Sequence, residues 1–289
     1  MAVVDDGSTD PTARVAEGFA DSRISLIRQG NRGVSAARNR GIAARGSDAC
    51  LFLDADDWLA PDALARLAGA LAASPTAVAA IGAYTRVTSD GSAQFAPTTR
   101  CENLLERLLV RNLFANGGHL LIRRAAIDIA GGFRHDLSYG EDWEYWTRLA
   151  LLGRFVPAAA GDPVLFVRER PGSAYLRMAT DPACFATATD AIYGNPEIMR
   201  RFGTPRLRTL RRRAEAETAW VIGRELIRHG RLCDGWRWLG RSLRAAPLPK
   251  RIGLAGLSWA GIGPFRPYSA STGGETCKGV RISRDGVHQ

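Results

Sequence analysis

Cysteine is scarce in this sequence, and its spacing argues against a metal or disulfide framework. Five cysteines occur in 289 residues, and no two form a Cys-x-x-Cys pair. They are Cys50, Cys101, Cys184, Cys233 and Cys277. This spacing disfavours both a zinc knuckle and a set of structural disulfides, and an odd, sparse number of thiols fits a reducing compartment. We expect these thiols to be buried or incidental.

Long apolar runs and a secretory leader are also lacking. A membrane-spanning helix needs about 18 or more apolar residues in a row. The best stretch, residues 252–265, is short and is interrupted by four glycines and Pro264. The first residues, Met1–Val4, run directly into Asp5 without the basic region of a signal peptide. We therefore expect a cytoplasmic protein.

Lysine is almost absent, and the basic charge is carried by arginine in the last third of the chain. The net charge is +10, and only Lys250 and Lys278 are lysines. From Glu197 onward 19 basic residues face 7 acidic ones, whereas the preceding residues have 20 against 22. This asymmetry indicates an anionic partner, either a membrane leaflet or nucleic acid. The alternative is that arginine simply serves as the ordinary surface cation.

The first 90 residues alternate between strands and helices, which predicts an α/β fold with a mainly parallel sheet. The hydrophobic content of 46% and charged content of 24% are ordinary for a globular protein. The predicted strands are Ala2–Val4, Ile24–Ile27, Ala49–Leu53 and Val78–Tyr84, and the predicted helices are Thr12–Ala20, Val34–Ala44 and one that begins at Pro61.

The chain changes character after Pro205, where a helical hairpin is predicted. Apolar residues recur at helical spacing before and after a break at Gly230. The predicted organisation is an N-terminal α/β domain over residues 1–196, a basic helical hairpin over 197–250, and a poorly ordered Gly/Ser-rich and charged tail over 251–289.

Acidic residues cluster directly after two predicted strands. Asp5 and Asp6 follow the first strand, and Asp54, Asp56 and Asp57 follow the apolar run. Ligands of open α/β sheets bind beyond the carboxyl ends of the strands. Carboxylates packed together repel one another unless a cation lies between them, and Mg²⁺ or Mn²⁺ with a diphosphate meets that need. The alternative is a helix cap and solvated turn residues, which could explain Asp57 alone.

A third acidic pair, Glu141 and Asp142, begins an aromatic-rich predicted helix. Acidic residues at a helix start are commonly compensating caps for the helix dipole. This pair therefore indicates chemistry only in combination with the other two clusters.

Four motifs in this order resemble the family 2 glycosyltransferases, which have the nucleotide-diphospho-sugar transferase (GT-A) fold. The resemblance covers roughly residues 1–167. The motifs are Val3-Val4-Asp5-Asp6-Gly7-Ser8-Thr9-Asp10, Asn31 to Ile42 with Arg38 at its centre, Phe52-Leu53-Asp54-Ala55-Asp56-Asp57-Trp58, and Gly140-Glu141-Asp142. The resemblance implies a GT-A-type sheet flanked by helices and followed by the helical C-terminal appendage.

The resemblance implies donor-binding roles for four residues. Asp6, together with Asp5, would meet the base and ribose of the donor nucleotide. Arg38 would lie near the nucleotide or its diphosphate, and Asp54 would contribute the first carboxylate of the Asp-x-Asp motif.

The resemblance also implies a metal site and a general base. Asp56 or its neighbour Asp57 would bind a divalent metal, Mn²⁺ or Mg²⁺, that bridges the diphosphate. Asp142 would take the proton from an acceptor hydroxyl as that hydroxyl attacks the anomeric carbon from the opposite face, which inverts the configuration.

The resemblance further implies the partners. They are a nucleotide-sugar donor, with a UDP-sugar favoured, and a saccharide or lipid-linked acceptor in cell-surface polysaccharide, glycolipid or glycoprotein synthesis. Peripheral contact with the inner face of the plasma membrane would account for the basic charge. Relatives carry a strand and helix ahead of the first Asp pair, and we expect that unit to be absent here.

Two other functions are left open by the sequence. The first is a truncated, non-catalytic relative with weak nucleotide binding. The second is a basic nucleic-acid-binding module, but no zinc, helix-turn-helix or RNA-binding motif is recognisable, and no nucleic acid is expected.

Overall fold

The computed structural model describes residues 1–44, 46–88, 91–159, 161–169 and 182–259. The chain forms two compact units, the first comprising Met1–Ser173 with Ala183–Arg211 and the second Ala174–Pro182 with Arg212–Gln289. Strands and helices alternate in the first unit, and the C-terminal region is helical. The predicted α/β class is confirmed.

The strands and helices have the following bounds. The strands are β1 Ala2–Asp6, β2 Ser25–Gln29, β3 Ala49–Cys50, β4 Trp58–Leu59, β5 Ala79–Ile81, β6 Tyr84–Val87, β7 Ala93–Ala96, β8 Leu120–Arg123, β9 Phe155–Pro157 and β10 Leu165–Arg168. The helices are α1 Thr12–Glu17, α2 Val34–Ala44, α3 Ala63–Ala72, α4 Leu104–Val110, α5 Arg124–Ala130, α6 Glu141–Leu152, α7 Pro182–Tyr193, α8 Pro196–Arg228, α9 Leu232–Ala245 and α10 Pro249–Trp259. A short 3₁₀ helix covers Gly117–His119.

The described strands lie in three sheets rather than in one mainly parallel sheet. β1 and β2 form a parallel pair, and the two four-stranded sheets have the orders β3-β8-β5-β9 and β4-β10-β6-β7. Three of the described strand pairings are parallel and four are antiparallel. The expectation of a mainly parallel sheet is therefore wrong. Short connections such as the one between β6 and β7 force hairpins, because parallel neighbours need a longer crossover.

The apolar run after Gly46 forms a much shorter strand than its composition predicts. Only Ala49 and Cys50 pair with β8, and Leu53 is 41% exposed. Beyond this pairing the neighbouring chain is no longer extended, because the 3₁₀ helix packs against Phe52. A Cβ on Gly117 would lie 2.8 Å from the Phe52 Cβ. The acidic residues that follow therefore lie on a loop that the 3₁₀ helix supports.

In the core of the first unit, helix α3 packs against the β3-β8-β5-β9 sheet and against strand β10 of the other four-stranded sheet. Leu67 and Leu71 of α3 are buried with Ala80 of β5 and Leu165 of β10. Residues at helical spacing on α3 thus meet the alternating inward residues of the strands. This packing holds the two ends of the acidic loop, because β3 and β4 belong to the two four-stranded sheets.

The second unit is a helical layer built from the end of α8, from α9 and from α10. Trp220, Ile227, Leu239 and Ala255 form its buried cluster. The helices approach closely where Gly223 faces Gly235, since a Cβ on Gly223 would lie 2.8 Å from the Gly235 carbonyl oxygen. Helix α10 occupies the first nine residues of the predicted tail, and residues 260–289 lie outside the described residues.

The thiols do not all follow the expectation. Cys50 and Cys101 are free, whereas Cys233 is disulfide-bonded. The expectation of no disulfide is wrong at Cys233, because spacing along the chain does not determine which thiols meet in the fold. Across the described ranges, no helix has both the length and the apolar character that a bilayer crossing requires.

Candidate active site

Arg38 is the cation that joins two of the predicted acidic clusters. Its guanidinium lies 3.0 Å from Asp54 Oδ1 and 3.1 Å from Glu141 Oε1. The side chain is only 13% exposed. It also lies over the ring of Phe133, with the guanidinium carbon 5.2 Å from the ring centroid. The acidic loop after β3 and the start of α6 therefore converge on one buried arginine.

Helix α2, which carries Arg38, is fixed at its start and along its length. Asp6 accepts hydrogen bonds from the backbone N–H groups of Arg32 at 2.9 Å and Gly33 at 2.8 Å, just before the helix begins. Asn39 donates to the Phe133 carbonyl oxygen at 2.8 Å and accepts from its N–H group at 2.7 Å. These contacts set the position of the guanidinium between its two carboxylates.

The carboxylates of the first acidic pair, Asp5 and Asp6, accept hydrogen bonds from other groups of the same chain. Besides the loop contacts, Asp6 accepts a hydrogen bond from Gln29 at 2.8 Å. Burial opposes ionisation of Asp6, but these hydrogen bonds outweigh it and lower the pKa. Asp5 is buried, accepts a hydrogen bond from the Ser8 N–H group at 2.9 Å and lies 3.7 Å from Arg28. Contact of this pair with a base and ribose stays a prediction.

Asp142 lies at the start of α6, next to Glu141. Gly140 precedes it with a φ of 71°, and a Cβ there would lie 2.7 Å from the Ala188 Cβ, so a glycine fits this turn. Asp142 Oδ1 accepts a hydrogen bond from the Trp143 N–H group at 2.6 Å, and Oδ2 accepts one from Asn112 at 3.1 Å. The carboxyl group is thus held in one orientation.

The environment of Asp142 raises the pKa of its carboxyl group. Burial, and then repulsion by Glu141, raise the pKa of Asp142 to about 6, while Arg38 and the hydrogen bonds from Trp143 and Asn112 oppose the rise. A base with a pKa near the working pH combines the ionised form with a useful proton affinity.

The loop after β3 holds its last carboxylate against two other segments. Asp57 Oδ2 accepts a hydrogen bond from Asn116 at 2.5 Å, and Oδ1 accepts one from the Arg168 N–H group at 2.9 Å. Burial raises the pKa of Asp57, and repulsion by Asp54 and Asp56 adds to the rise. The carboxylates of Asp54, Asp56 and Asp57 therefore lie close enough to repel one another.

The chemistry of this loop fits a divalent metal bound in part by a ligand. Within the described ranges, no group of three or more His, Cys, Asp or Glu side chains is arranged to hold a metal ion. Mg²⁺ and Mn²⁺ accept one or two carboxylates when diphosphate oxygens and water complete the coordination. In this loop Asp54 is paired with Arg38, and Asp57 accepts hydrogen bonds from Asn116 and from the Arg168 N–H group, so these two carboxylates are held in fixed positions.

The aromatic residues of α6 belong to the core and not to a sugar-binding face. Trp143 donates to the Leu108 carbonyl oxygen at 2.6 Å, and Trp146 is fully buried. His119 is also fully buried, with Nδ1 2.9 Å from the Gly82 carbonyl oxygen, and burial lowers its pKa to about 4. His119 is therefore a structural residue.

Sequence reasoning missed the amides that orient the site. Asn112 orients Asp142, Asn116 holds Asp57, and Asn39 fixes the segment at Phe133. Asn116 precedes two glycines, a turn signal that could have marked it. Asn112 lies in a stretch without any local signal, and only the fold brings it to Asp142.

We expect Asn112→Leu to move the acidic limb of the pH–rate profile upward. The hydrogen bond from Asn112 favours the ionised form of Asp142, so its loss raises the pKa from about 6. A hydrogen bond to a charged group corresponds to a shift of about one pH unit. Since a shift from 6 to about 7 lowers the ionised fraction at pH 6 from one half to about one eleventh, the rate of sugar transfer should fall about fivefold at pH 6 and recover above pH 8. Asn195→Leu is the control, and an equal loss at all pH values would contradict this role.

The comparisons with known proteins agree with these motifs. The family described as "Glycosyl transferase family 2" matches residues 1–129. The chain is 36% identical over 162 residues to the succinoglycan biosynthesis protein ExoU of Rhizobium meliloti, covering 51% of this chain and 47% of ExoU. It is 44% identical over 62 residues to the putative glycosyltransferase EpsH of Bacillus subtilis, covering 21% of this chain and 18% of EpsH.

These matches confirm the resemblance, and it is residues 1–129 that match the family 2 glycosyltransferases. The chain spans about half the length of ExoU and less than a fifth of EpsH. Among solved structures, the mannosyltransferase PcManGT from Pyrobaculum calidifontis in complex with GDP-Man and Mn²⁺ is similar at 23% identity. The match covers 90% of this chain and 70% of that one with a TM-score of 0.49, which is too low to establish a common fold.

Proposed function

We propose that the chain is an inverting glycosyltransferase that moves a sugar from a nucleotide-diphospho-sugar to an acceptor hydroxyl. One observation carries the proposal: Arg38 binds Asp54 of the acidic loop and Glu141, which is next to Asp142. This contact supports the proposal because Arg38 and Asp54 belong to the motifs associated with the donor, and Glu141 belongs to the motif that contains the proposed base. We assign the transferase site to residues 1–196, with the basic hairpin of residues 197–250 and the tail of 251–289 as appended segments.

The donor side of the site would use the acidic loop and Arg38. Asp56 or its neighbour Asp57 would hold the divalent metal, with Asp54 beside it, and the metal when bound offsets the charge that grows on the departing nucleoside diphosphate. The contacts of Arg38 with Asp54 and Glu141 use two of the five N–H groups of a guanidinium. The others would be able to meet diphosphate oxygens. Asp5 and Asp6 would hold in place the loops that line the nucleotide.

Asp142 would be the general base. Its carboxylate would accept the proton of the acceptor hydroxyl while the hydroxyl oxygen bonds to the anomeric carbon and the bond from that carbon to the diphosphate oxygen breaks. Attack from the face opposite the leaving group inverts the configuration. The fixed orientation of the carboxyl group and its pKa of about 6 suit this role.

The proposed partners follow from this chemistry and from the charge of the chain. We propose a UDP-sugar as donor and a saccharide or lipid-linked acceptor, which accords with the name of the polysaccharide-biosynthesis relative ExoU. We also propose a cytoplasmic chain in peripheral contact with an anionic membrane, because the basic excess lies in the C-terminal third.

A non-catalytic relative is the second candidate. It is favoured by the first acidic pair, whose carboxylates already bond to Ser8, Gln29, Arg32 and Gly33 of the same chain. Such a protein would bind a nucleotide weakly and release no product.

Titration of the purified chain with UDP in the presence of Mn²⁺ tests the donor site. We expect saturable binding that EDTA abolishes. Asp56→Ala should weaken binding about 10–100-fold, the loss typical when groups that support a metal are removed. Asp62→Ala is the matched control, because Asp62 is an exposed aspartate at the start of α3 and lies outside the loop. Metal-independent binding, or equal affinity of Asp56→Ala and the wild type, would contradict the donor site.

A further inference from the structure

The basic residues of the C-terminal third are not all equally available to bind an anionic partner. On the first half of α8, Arg200 pairs with Glu197, Arg206 with Glu106, and Arg211 with Asp190. Each of these three arginines is paired with a carboxylate of the first unit. An anionic surface would therefore gain less from them than the charge count of the sequence indicates.

Helix α9 also carries exposed basic side chains. Arg237, Arg241 and Arg244 are all exposed, and their spacing of four and three residues puts them on one face of the helix. On the opposite face, Leu239 is fully buried against the cluster that includes Trp220. Arg241 and Arg244 form no ion pair with a carboxylate of the described residues. The apolar face of α9 packs against the buried cluster, and the basic face is therefore exposed to solvent.

The segment that follows α9 in the sequence exposes apolar side chains. Leu248 and Ile252 are 47% and 52% exposed, and they lie four residues apart. Lys250 lies between them and is also exposed. The other side of α10 is anchored, because Ala255 is buried in the cluster and Arg251 bonds to Glu217 and to Ser242. The packing of α10 therefore leaves Leu248 and Ile252 pointing to solvent.

We propose that this basic–apolar tip, formed by Arg241, Arg244, Leu248, Lys250 and Ile252, docks onto the surface of an anionic lipid bilayer. The basic side chains would lie at the headgroups, and the two aliphatic side chains would enter the boundary with the acyl chains. This inference deepens the membrane contact proposed above, on which it rests, and it is independent of sugar transfer.

The chemistry of the tip distinguishes a bilayer from other partners. A second copy of the same tip would bring positive charge against positive charge. A nucleic acid would use the arginines but would give Leu248 and Ile252 no apolar surroundings. An anionic surface with an apolar interior complements both groups of residues.

Vesicle flotation with the full chain tests the proposal. The chain is mixed with vesicles of phosphatidylcholine and phosphatidylglycerol, or with vesicles of phosphatidylcholine alone. We expect the wild type to float with the anionic vesicles, to remain unbound with the neutral ones, and to be released at high salt. Arg241→Glu/Arg244→Glu/Lys250→Glu should lower the partition coefficient by at least roughly 100-fold, since each basic residue near such a surface contributes about fivefold. Leu248→Ser/Ile252→Ser should also lower it while leaving the charge unchanged.

A charge-matched control separates the tip from the net charge of the chain. Arg14, Arg100 and Arg111 are exposed arginines of the first unit, and their triple change to glutamate should leave flotation unchanged. Circular dichroism checks that every variant keeps its helices. The proposal is overturned if the wild type stays unbound, if neutral vesicles bind it equally, or if the control triple variant loses binding as strongly as the tip variant. It is also overturned if the serine variant binds like the wild type. Titration with UDP and Mn²⁺ reports on the donor site separately, so either proposal can fail alone.

Discussion

Asp142→Asn is expected to lower the rate of sugar transfer by about 10²–10⁴-fold, the contribution of a positioned general base. An asparagine keeps the size of the side chain but cannot take a proton from the acceptor hydroxyl. The affinity for UDP with Mn²⁺ should stay within about twofold of the wild type, because the base acts on the acceptor and not on the donor. The measurement pairs the turnover of a UDP-sugar with a calorimetric titration of UDP.

The pH dependence gives an independent check on Asp142. The group must be ionised to accept a proton, so kcat/KM of the wild type should fall as the pH drops through about 6. Asp128→Asn is the matched control, because Asp128 is an exposed aspartate of α5 that pairs with Arg124. Retention of turnover by Asp142→Asn, or loss of UDP binding together with turnover, would contradict the role of a base.

Arg38→Ala is expected to destabilise the first unit by about 3 kcal/mol. Removing one partner of a buried ion pair costs about 3–5 kcal/mol, and the lower end applies because the Asp54 side chain is 37% exposed. The loss leaves Asp54 and Glu141 without their shared cation. Urea denaturation followed by tryptophan fluorescence measures the change in the free energy of unfolding.

The same variant should move the titration of Asp142. Arg38 lowers the pKa of Asp142 through its charge, so the variant should have a higher pKa and need a higher pH for activity. Arg40→Ala is the control, because Arg40 is an exposed arginine two residues further along α2. Equal stability of Arg38→Ala and Arg40→Ala would show that the guanidinium does not hold the acidic segments together.

The parts of the fold that depend on local signals were predictable from the sequence. Helix α2 has the predicted bounds, because Gly33 breaks the chain before it and an alanine-rich run follows. The strand after Gly46 was predicted too long, because strand length depends on a pairing partner and not on apolar composition. Ala49 and Cys50 find that partner in β8, and the following residues meet a 3₁₀ helix instead.

The charged residues of the candidate site were predictable, but their connections were not. The motifs named Arg38, Asp54 and Asp142, and the fold brings the first two into contact. Nothing in the sequence indicated that Glu141 and Asp54 share one guanidinium, because these residues are 87 positions apart. The bonds from Asn112 and Asn116 are also long-range contacts that only folding creates.

The position of Mn²⁺ in crystals grown with UDP tests the central claim most directly. Anomalous scattering locates the ion without reference to any assumed geometry. The account predicts a peak within bonding distance of the Asp56 carboxylate, with the diphosphate of UDP bound between the acidic loop and Arg38. A peak on another face of the first unit, or UDP bound away from Arg38, would contradict it.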